Sequence, residues 1–565
     1  MKAILWAILT VIVMLVMQAA VAVPHWYEPD VAWVYGRDLV LLTIVVVMLA
    51  STRLSTLSVW ISAFLGWSVM VYEWVRAVGM EAMTQEPLLY DAVFLGKHLY
   101  ILMHDLMGDE ATQILAGLIG VLVVSLVLFG VGFGFVARLS RSGGWLHMVV
   151  VALLLAGIVR AAESKEKNIT GMDTLADVQD NLVRSQEVWS DLKKGLNDEL
   201  YTDVASLKLK KKPRVHIYVI ESYGRASLRP TIRVRYRNFL AGIGARMSSA
   251  GWKMATGLSE APVMGGRSWL ADGTLLSGIQ IRYESEFRHL APLFSDMTTL
   301  PGFFRRQGYD TVLMRPKDLA RPGVELVNHF NYNKTVFSKD LAYTGESYGW
   351  VGTPDQYALG HIRETIIPEL DGPEFLFAHL ASSHIPWDDL PPIVDDWKSL
   401  GGTAATEQSG SVQPLSEAQI RFQLERFKRQ DHVRVRRLRP TADNVDEYLA
   451  AVMYSMEVTI RHIEAMSDPP DVVIMMGDHQ PPLYKKNEDF TVPVHVFARK
   501  QRYLAEFRKQ GFAKGIQPRS WEKRIYHEGF FTLLVRALAR AEGAKLPAYR
   551  KRGNKEVPNK KVMEQ

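Results

Sequence analysis

The stretch Asp471-Val-Val-Ile-Met-Met-Gly-Asp-His-Gln480 decides the fold, because an apolar run of strand type ends directly in an Asp-His pair. A second run of this kind, Val215-His-Ile-Tyr-Val-Ile-Glu-Ser222, ends in Glu221. In open α/β sheets the functional groups lie at the carboxyl ends of the strands. Carboxylate oxygens and imidazole nitrogens are common ligands of divalent cations. The two strand ends therefore predict a metal site at one edge of a sheet.

Strand-like and helix-like runs alternate through the C-terminal part of the chain. This alternation predicts an α/β domain with a mostly parallel central sheet and helices on both faces. The runs are 215–220, 239–249, 301–307, 311–314, 375–381, 448–466, 472–476, 492–497 and 528–541.

Apolar residues are concentrated before residue 160, in runs that approach the roughly 20 residues a helix needs to cross a bilayer. Five spanning helices would place Lys2, Arg53, Arg138 and Arg141 on the cytoplasmic side and the large C-terminal part outside. We therefore predict a multi-pass helical membrane domain with its N-terminus inside. The five runs are 4–23, 39–50, 57–75, 114–136 and 145–159.

Alternatives for this region stay open. The second and fifth runs are shorter or contain polar residues, so the number of spans could be four. The first run could be a cleaved signal peptide, because Gln18-Ala-Ala-Val-Ala22 offers small residues to a peptidase. Residues 88–104 are typical of an interfacial helix that either packs over the bundle or supports a lipid headgroup.

The chain of 565 residues contains no cysteine, which excludes disulfides and thiolate nucleophiles or ligands. Its net charge of +6 is modest. The basic runs 208–212 and 434–439 lack interleaved aromatic residues, so nucleic-acid binding is disfavoured.

The predicted organisation follows the changes in composition. A membrane domain is followed by a helical linker, a catalytic domain with an inserted surface loop, and a charged tail. Their predicted bounds are 1–162, 163–212, 213–545 with the insertion at about 388–440, and 546–565.

Ser268 follows the turn residues Gly265-Gly-Arg267 and opens a helix-like segment. Backbone N–H groups and the helix dipole favour an anion there, so a phosphoryl group on Ser268 would be stabilised. Serine is also an ordinary N-cap residue, so this motif alone is weak. Beside Glu221 and the Asp478-His479 pair, however, a bound cation could lower the pKa of the hydroxyl and act as a Lewis acid on a phosphate.

Taken together, these motifs resemble the alkaline phosphatase and sulfatase superfamily. They are closest to its membrane-anchored branch, which contains lipoteichoic acid synthase and the phosphoglycerol and phosphoethanolamine transferases. The resemblance covers nearly the whole chain. Its signature segments are Val219-Ile-Glu-Ser222, Gly266-Arg-Ser268, Gly349-Trp-Val-Gly-Thr-Pro-Asp355, Ser383-His-Ile-Pro386 and Met476-Gly-Asp-His479.

The resemblance implies a role for each matching residue. It makes Glu221, Asp478 and His479 ligands of one divalent cation, with manganese or zinc expected and magnesium possible. Ser268 would be both a ligand and the covalent nucleophile, and His384 would bind the phosphate or protonate the leaving group.

Substrate binding is expected from four further residues. Trp350 and Asp355 match positions near the donor site. Arg315 stands where many members carry a histidine, and together with Arg321 it could bind phosphate through its guanidinium group, although surface salt bridges are an equal alternative. Another departure is Ser268 itself, because the family usually uses threonine as nucleophile.

The resemblance implies transfer of a phospho-headgroup from a membrane phospholipid, through Ser268, to a hydroxyl of an extracytoplasmic glycan or polymer. Phosphoglycerol is favoured over phosphoethanolamine by the segment between Ser268 and Gly278 and by the lack of cysteine. The expected location is the bacterial cytoplasmic membrane, with the catalytic domain on the periplasmic side.

Other functions remain open at this point. A phosphodiesterase or phosphatase would use the same residues with water as the acceptor. A non-catalytic membrane protein could use the fold to bind lipid or polymer. Sulfatase activity is disfavoured, because Ser268-Trp-Leu-Ala-Asp272 lacks the proline and arginine of a formylglycine motif.

Overall fold

A computed structural model describes most of the chain, which divides into two compact units, residues 1–188 and 189–565. The predicted span 145–159 and most of the predicted interfacial helix, insertion and tail lie outside the described residues. The described residues are 2–22, 37–83, 86–89, 110–141, 174–196, 204–319, 326–349, 352–387, 389–401, 444–483, 490–517 and 524–549.

The first unit is built from apolar helices. Within its described residues, Ser55–Ala77 and Thr112–Arg141 are long and apolar enough to cross a membrane, whereas Ile8–Val21 and Asp38–Leu49 are apolar but shorter. Length and composition thus agree with a membrane domain, and the five-span topology stays a prediction. The helices of the N-terminal region are α1 (Lys2–Ala22), α2 (Arg37–Leu49), α3 (Ser55–Met83), α4 (Glu110–Arg141) and α5 (Thr174–Leu196).

Apolar side chains also cover the outside of these helices. Met48 is 74% exposed and Val124 is 68% exposed, while Phe129 and Phe133 are buried between the helices. Contiguous exposed apolar surface is rare on soluble proteins. This pattern supports a lipid environment for the first unit.

The second unit is an α/β domain around one nine-stranded sheet. Its strands are β1 (Val215–Ile220), β2 (Lys253–Glu260), β3 (Asp310–Arg315), β4 (Lys334–Phe337), β5 (Glu374–Leu380), β6 (Val472–Gly477), β7 (Thr491–Ala498), β8 (Ala513–Lys514) and β9 (Ile525–Tyr526). Its α-helices are α6 (Arg233–Ser249), α7 (Ser268–Ser277), α8 (Glu284–Leu290), α9 (Leu300–Arg306), α10 (Asp355–His361), α11 (Val445–Glu464), α12 (Ala505–Lys509) and α13 (Gly529–Ala541).

The sheet is mixed. Its order is β4-β3-β5-β1-β6-β7-β2-β8, with β9 beside β2. Pairing is parallel from β4 to β6 and between β2 and β9, and antiparallel between β6, β7, β2 and β8. The predicted parallel arrangement therefore holds for the half that ends in the candidate metal-binding motifs, whereas the other half contains the antiparallel strands. Strand β2, Lys-Met-Ala-Thr-Gly-Leu-Ser-Glu, was missed because it has no long apolar run, and no sequence pattern gives the direction of β7.

Helices cover both faces of the sheet, as predicted. Alternate residues of β1 enter different cores: Val215, Ile217 and Val219 pack on one face, and Tyr218 and Ile220 on the other. Strands buried on both faces are apolar throughout. Each buried aliphatic side chain of this kind contributes about 1.5–3 kcal/mol, so the apolar runs that marked β1 and β6 also hold the centre of the sheet in place.

Strand register brings the predicted ligands to one edge. Ile220 of β1 is paired with Gly477 of β6 and with Leu380 of β5. The next residues of β1 and β6 are Glu221 and Asp478. Because β1 is central and parallel to both neighbours, Glu221 lies beside the carboxyl ends of β5 and β6.

Candidate active site

Glu221 is buried at the end of β1 and lies at the centre of the site. Its Oε1 is 3.2 Å from His479 Nε2. Its Oε2 accepts hydrogen bonds from Ser268 Oγ at 2.8 Å and from Lys317 Nζ at 2.6 Å. Burial alone would raise the pKa of Glu221, but the Lys317 ammonium and the nearby imidazoles of His379 and His479 hold it well below its usual range. The carboxylate is therefore kept ionised as a ligand or acceptor.

Asp478 presents one oxygen to the backbone and the other to the site. Its Oδ1 accepts hydrogen bonds from the N–H groups of Ser222 and His479, at 2.8 and 2.7 Å. Its Oδ2 is buried and accepts no hydrogen bond, although His479 Nε2 lies 3.2 Å away and His379 Nε2 3.5 Å away. A buried carboxylate oxygen without an aligned donor needs a partner, and a cation would supply one.

His479 is oriented by its other ring nitrogen. Its Nδ1 lies 2.9 Å from the backbone carbonyl of Gln480, which favours a proton on Nδ1 and leaves Nε2 to act as a ligand. Nε2 is also 3.4 Å from Ser268 Oγ. This is the arrangement that metal-ligating histidines commonly adopt.

The structure brings together all four residues that the sequence predicted as metal ligands. Ligand atoms of Glu221, Asp478 and His479 lie within 4.8 Å of one another. Contacts among these groups and Ser268 Oγ measure 2.8 to 3.4 Å. Carboxylate oxygens, an imidazole nitrogen and a hydroxyl oxygen are donors of the kind that bind divalent cations. The residues therefore fit one divalent cation.

Ser268 is aimed into this group by a turn of unusual backbone geometry. Gly265, Gly266 and Arg267 have positive φ angles of 73°, 143° and 64°, and α7 begins at Ser268. Glycine reaches such angles without strain, whereas a left-handed arginine is strained. The Gly265 N–H donates to the carbonyl of Gln480 at 2.9 Å, so the turn is fastened to the loop that carries His479.

Lys317 is a member of the site that the sequence did not reveal. Its Nζ lies 3.3 Å from Ser268 Oγ in addition to its contact with Glu221. Burial would lower the pKa of Lys317, but the Glu221 carboxylate raises it above its usual value. A fixed ammonium therefore lies beside the candidate nucleophile. Lys317 comes two residues after the end of β3. This position just after a strand was the sequence feature that could have indicated a site residue.

His379 of β5 was also missed. Its Nδ1 is 2.8 Å from Asp272 Oδ2, and its Nε2 is 3.4 Å from Glu221 Oε2. Burial disfavours the charged imidazole, but Asp272 raises the pKa of His379 to about 10. Asp272 stands one helical turn after Ser268 on α7, so both point the same way. The signal in the sequence was weak, because a histidine inside an apolar strand is indistinguishable from a satisfied core residue.

Comparison with protein families identifies this fold. Residues 259–531 match the model of the sulfatase family. This part of the chain is a sulfatase-family domain. The superfamily assignment made from the motifs is thereby confirmed. The matched range contains Ser268, Lys317, His379 and the Asp478-His479 pair, and Glu221 precedes it.

The chain is also similar to solved structures, at low identity. Lipoteichoic acid synthase LtaP from Listeria monocytogenes is 12% identical with a TM-score of 0.35, covering 61% of this chain and 78% of that one. Phosphoglycerol transferase GacH from Streptococcus pyogenes, in complex with sn-glycerol-1-phosphate, is 17% identical with a TM-score of 0.33, covering 62% and 80%. The soluble domain of lipooligosaccharide phosphoethanolamine transferase A from Neisseria meningitidis is 13% identical with a TM-score of 0.35, covering 62% and 97%. None of the curated proteins matches the chain significantly in sequence.

Within the sulfatase-family domain, Arg315 lies beside the site and not on the nucleophile. Its guanidinium contacts Asp272 at 3.1 Å and Asp318 at 3.3 Å, and its side chain is 17% exposed. Both neighbouring carboxylates raise its pKa against the effect of burial. Arg315 thus forms ion pairs below the surface. The other predicted phosphate contact, Arg321, and the predicted donor-site residue Trp350 lie outside the described residues.

Asp355 is fully buried at the start of α10 and supports the loop after β5. Its Oδ1 accepts from the N–H groups of Ala381 and Ser382 at 2.8 and 3.1 Å, and its Oδ2 accepts from Ser455 Oγ at 2.7 Å. Burial raises its pKa, against these hydrogen bonds. These contacts hold the chain that leads to His384, whereas the sequence had suggested contact with substrate.

His384 lies at the end of that loop, next to the ligand group. Its Nδ1 lies 2.5 Å from the carbonyl of Ile385. Burial lowers the pKa of His384, and the charges of Glu221 and Lys317 act on it in opposite directions. An imidazole in this surrounding can bind or protonate an oxygen of a substrate at the site.

The site therefore has two chemically different sides. One side, the ligand side, consists of Glu221, Asp478 and His479 from β1 and β6. The other, the cationic side, consists of Lys317, His379 and Arg315 from β3 and β5. The Ser268 hydroxyl contacts both, so the site can bind an oxyanion while a hydroxyl attacks it.

Proposed function

We propose that this protein transfers a phospho-headgroup from a membrane phospholipid to a hydroxyl of an extracytoplasmic glycan or polymer, through a covalent intermediate on Ser268. The observation that carries the proposal is the surroundings of Ser268 Oγ: Glu221 at 2.8 Å, Lys317 at 3.3 Å and His479 at 3.4 Å. A buried hydroxyl between metal-ligating groups and a fixed ammonium suits attack on a phosphodiester.

The chain's own residues account for the handling of charge and protons. Glu221 Oε2 already accepts the hydrogen bond of Ser268 Oγ, so it is the group that takes the hydroxyl proton when Ser268 attacks. Lys317 binds non-bridging oxygens of the phosphodiester and holds them toward Oγ. A divalent cation held by Glu221, Asp478, His479 and Ser268, with manganese or zinc favoured and magnesium as the alternative, supplies Lewis-acid activation when bound.

The reaction runs in two displacements. In the first, a bond forms between Ser268 Oγ and phosphorus while the Ser268 proton passes to Glu221, and the bond from phosphorus to the diacylglycerol oxygen breaks as protonated His384 gives its proton to that oxygen. In the second, the acceptor hydroxyl attacks the same phosphorus and its proton passes to the now neutral His384, while Ser268 leaves and takes back its proton from Glu221. His384 is therefore an acid in its protonated form and then a base in its neutral form, and burial, which lowers its pKa, favours the neutral form that the second step needs.

Phosphoglycerol is the favoured headgroup and phosphoethanolamine the second candidate. Lys317 lies beside Ser268, and Arg315 and a charged His379 contact Asp272 on the same helix. An ethanolamine ammonium would be repelled by these cations, whereas a glycerol moiety carries no charge. Arg315, Arg321, Trp350 and Asp355 remain the proposed determinants of the donor site, the last through the loop that it supports.

The proposed location is the bacterial cytoplasmic membrane, with the catalytic domain on the periplasmic side. A lipid donor confined to a bilayer is best reached by an enzyme that is anchored in it. The predicted domain bounds, 1–162 for the membrane domain, 163–212 for the linker and 213–545 for the catalytic domain, are part of this proposal.

Mass spectrometry of the Ser268 peptide tests the proposal. Purified full-length protein, loaded with Mn²⁺ or Zn²⁺, is incubated with vesicles of phosphatidylglycerol or of phosphatidylethanolamine. We expect a glycerophosphoryl adduct on Ser268 and released diacylglycerol from the first vesicles, and much less from the second. An adduct from phosphatidylethanolamine alone would reverse the headgroup assignment.

Two further outcomes would replace the proposal. Free glycerol phosphate as the only product, with alcohols in excess, would identify a hydrolase that uses water as acceptor. Bound metal without adduct, diacylglycerol or hydrolysis would identify a protein that binds lipid or polymer without catalysis.

A further inference from the structure

Trp269 directly follows the proposed nucleophile and faces solvent. It is 39% exposed, although every other residue of α7 is buried. Among the residues described between 204 and 549, it is the only tryptophan, tyrosine or phenylalanine that is exposed. The largest exposed apolar side chain of these described residues thus lies one residue from the proposed nucleophile.

The indole ring is held in a fixed orientation. Its Nε1 donates to Glu284 Oε2 at 2.9 Å, and Glu284 Oε1 accepts from Arg288 Nε at 3.1 Å. Both partners belong to α8, which is packed against α7 through Gly273 and Phe287. An aromatic ring fixed at its edge by a hydrogen bond keeps its faces available for stacking.

The surroundings of the ring favour a neutral, hydroxyl-rich partner. Glu284 at the ring edge can accept hydrogen bonds from hydroxyl groups, and it disfavours an anionic lipid headgroup. Ligand sites commonly pair an aromatic face with a few polar groups that fix orientation. The apolar face of a pyranose ring has the shape for such a platform, while its hydroxyls reach polar neighbours.

We propose that Trp269 is a stacking platform for a pyranose ring of the acceptor, which places a sugar hydroxyl beside the phosphoryl group on Ser268. The inference rests on the proposed function and adds the acceptor class and a specificity-determining residue. Since consecutive Cα atoms are 3.8 Å apart, the indole is attached to the backbone directly beside the nucleophile.

Competition between two alcohols tests this inference. Full-length enzyme with phosphatidylglycerol vesicles is given equal concentrations of methyl glucoside and erythritol, which carry the same number of hydroxyl groups on a ring and on a linear chain. The ratio of the two phosphoglycerol products is measured by mass spectrometry. We expect wild-type enzyme to favour methyl glucoside, and Trp269→Ala to lower the ratio about 2- to 10-fold.

Three controls sharpen the reading. Trp269→Phe keeps an aromatic face and should retain part of the preference. Glu284→Ala releases the indole edge and should reduce the preference less than Trp269→Ala. Val234→Ala alters an exposed apolar residue of α6, 65% exposed, and should leave the ratio unchanged.

The outcomes separate this inference from the proposed function. No diacylglycerol release by wild-type enzyme contradicts the transferase itself. Release without any preference for methyl glucoside, or an unchanged preference in Trp269→Ala, overturns the platform alone. A loss of vesicle turnover in Trp269→Ala with the ratio preserved would assign the indole to the bilayer surface and likewise overturn it.

Discussion

The two sides of the site differ in how the chain builds them. The ligand side comes from β1 and β6, whose apolar runs end abruptly in Glu221 and in Asp478-His479. The cationic side comes from β3 and β5, where His379 lies inside the strand and Lys317 lies beyond a proline. The first side is suited to a cation and the second to an anion. A site for phosphoryl transfer requires both sides next to Ser268. Substitutions on the ligand side should therefore impair metal binding, and substitutions on the cationic side should impair turnover.

The largest effect is expected where the two sides meet. Ser268→Ala removes the hydroxyl that contacts Glu221 and His479 on one side and Lys317 on the other, so headgroup transfer should fall by at least about a thousandfold while the fold is kept. The check is diacylglycerol release together with the mass of the 268 peptide. Ser268→Thr is the matched control, because it keeps a hydroxyl and should retain measurable transfer. Full transfer by the alanine variant would falsify the covalent route.

On the ligand side, Asp478→Asn should abolish both metal binding and activity. The change preserves shape but removes the charge of a buried ligand, so activity should fall at least about 100-fold. Metal content by elemental analysis is the deciding measurement. A variant that binds metal normally and stays inactive would place Asp478 outside the ligand set.

On the cationic side, Lys317→Ala should separate metal binding from turnover. The three ligands from β1 and β6 remain, so metal content should stay near that of the wild type. Transfer should nevertheless fall about 10²–10³-fold, because a fixed donor to the phosphoryl oxygens is lost. Lys317→Arg should recover part of the rate. Loss of metal in Lys317→Ala would show that the two sides are not separable.

The smallest effect is expected from Asp272→Asn, which alters the support of the cationic side. Asp272 contacts both His379 and Arg315, so the change should weaken their alignment and reduce transfer about tenfold. Metal content and the elution volume of the protein should not change. An effect as large as that of Lys317→Ala would mean that Asp272 acts on substrate directly.

The difference between the ligand side and the cationic side explains which site residues the sequence could predict. Glu221, Asp478 and His479 were found because a polar residue at the end of an apolar strand must lie at the sheet edge. Ser268 was found because two glycines and a helix start mark a tight turn. His379 was missed because its neighbours in β5 are apolar on both sides. Lys317 was missed because it reaches the site only through the pairing of β3 with β5, which the sequence does not show.

Other expectations were changed by packing. Asp355 belongs to a signature segment, but both of its carboxylate oxygens accept hydrogen bonds, one from the loop after β5 and the other from Ser455. Arg315 pairs with Asp272 and Asp318, contacts that cross between α7, β3 and the following loop. The antiparallel half of the sheet depends on β2, which the sequence does not identify as a strand because of its polar residues.

The sequence by itself determined the chemistry that each segment can offer: apolar helices, strands that end in carboxylates and a histidine, and a serine at a helix start. The tertiary structure alone decided which of these groups meet. Ser222 and Asp478 are 256 residues apart, and they share a hydrogen bond because β1 lies between β5 and β6. Local patterns fix where a strand ends, but the order of strands follows from burying both faces of the whole sheet, and that order places the ammonium of Lys317 beside the hydroxyl of Ser268.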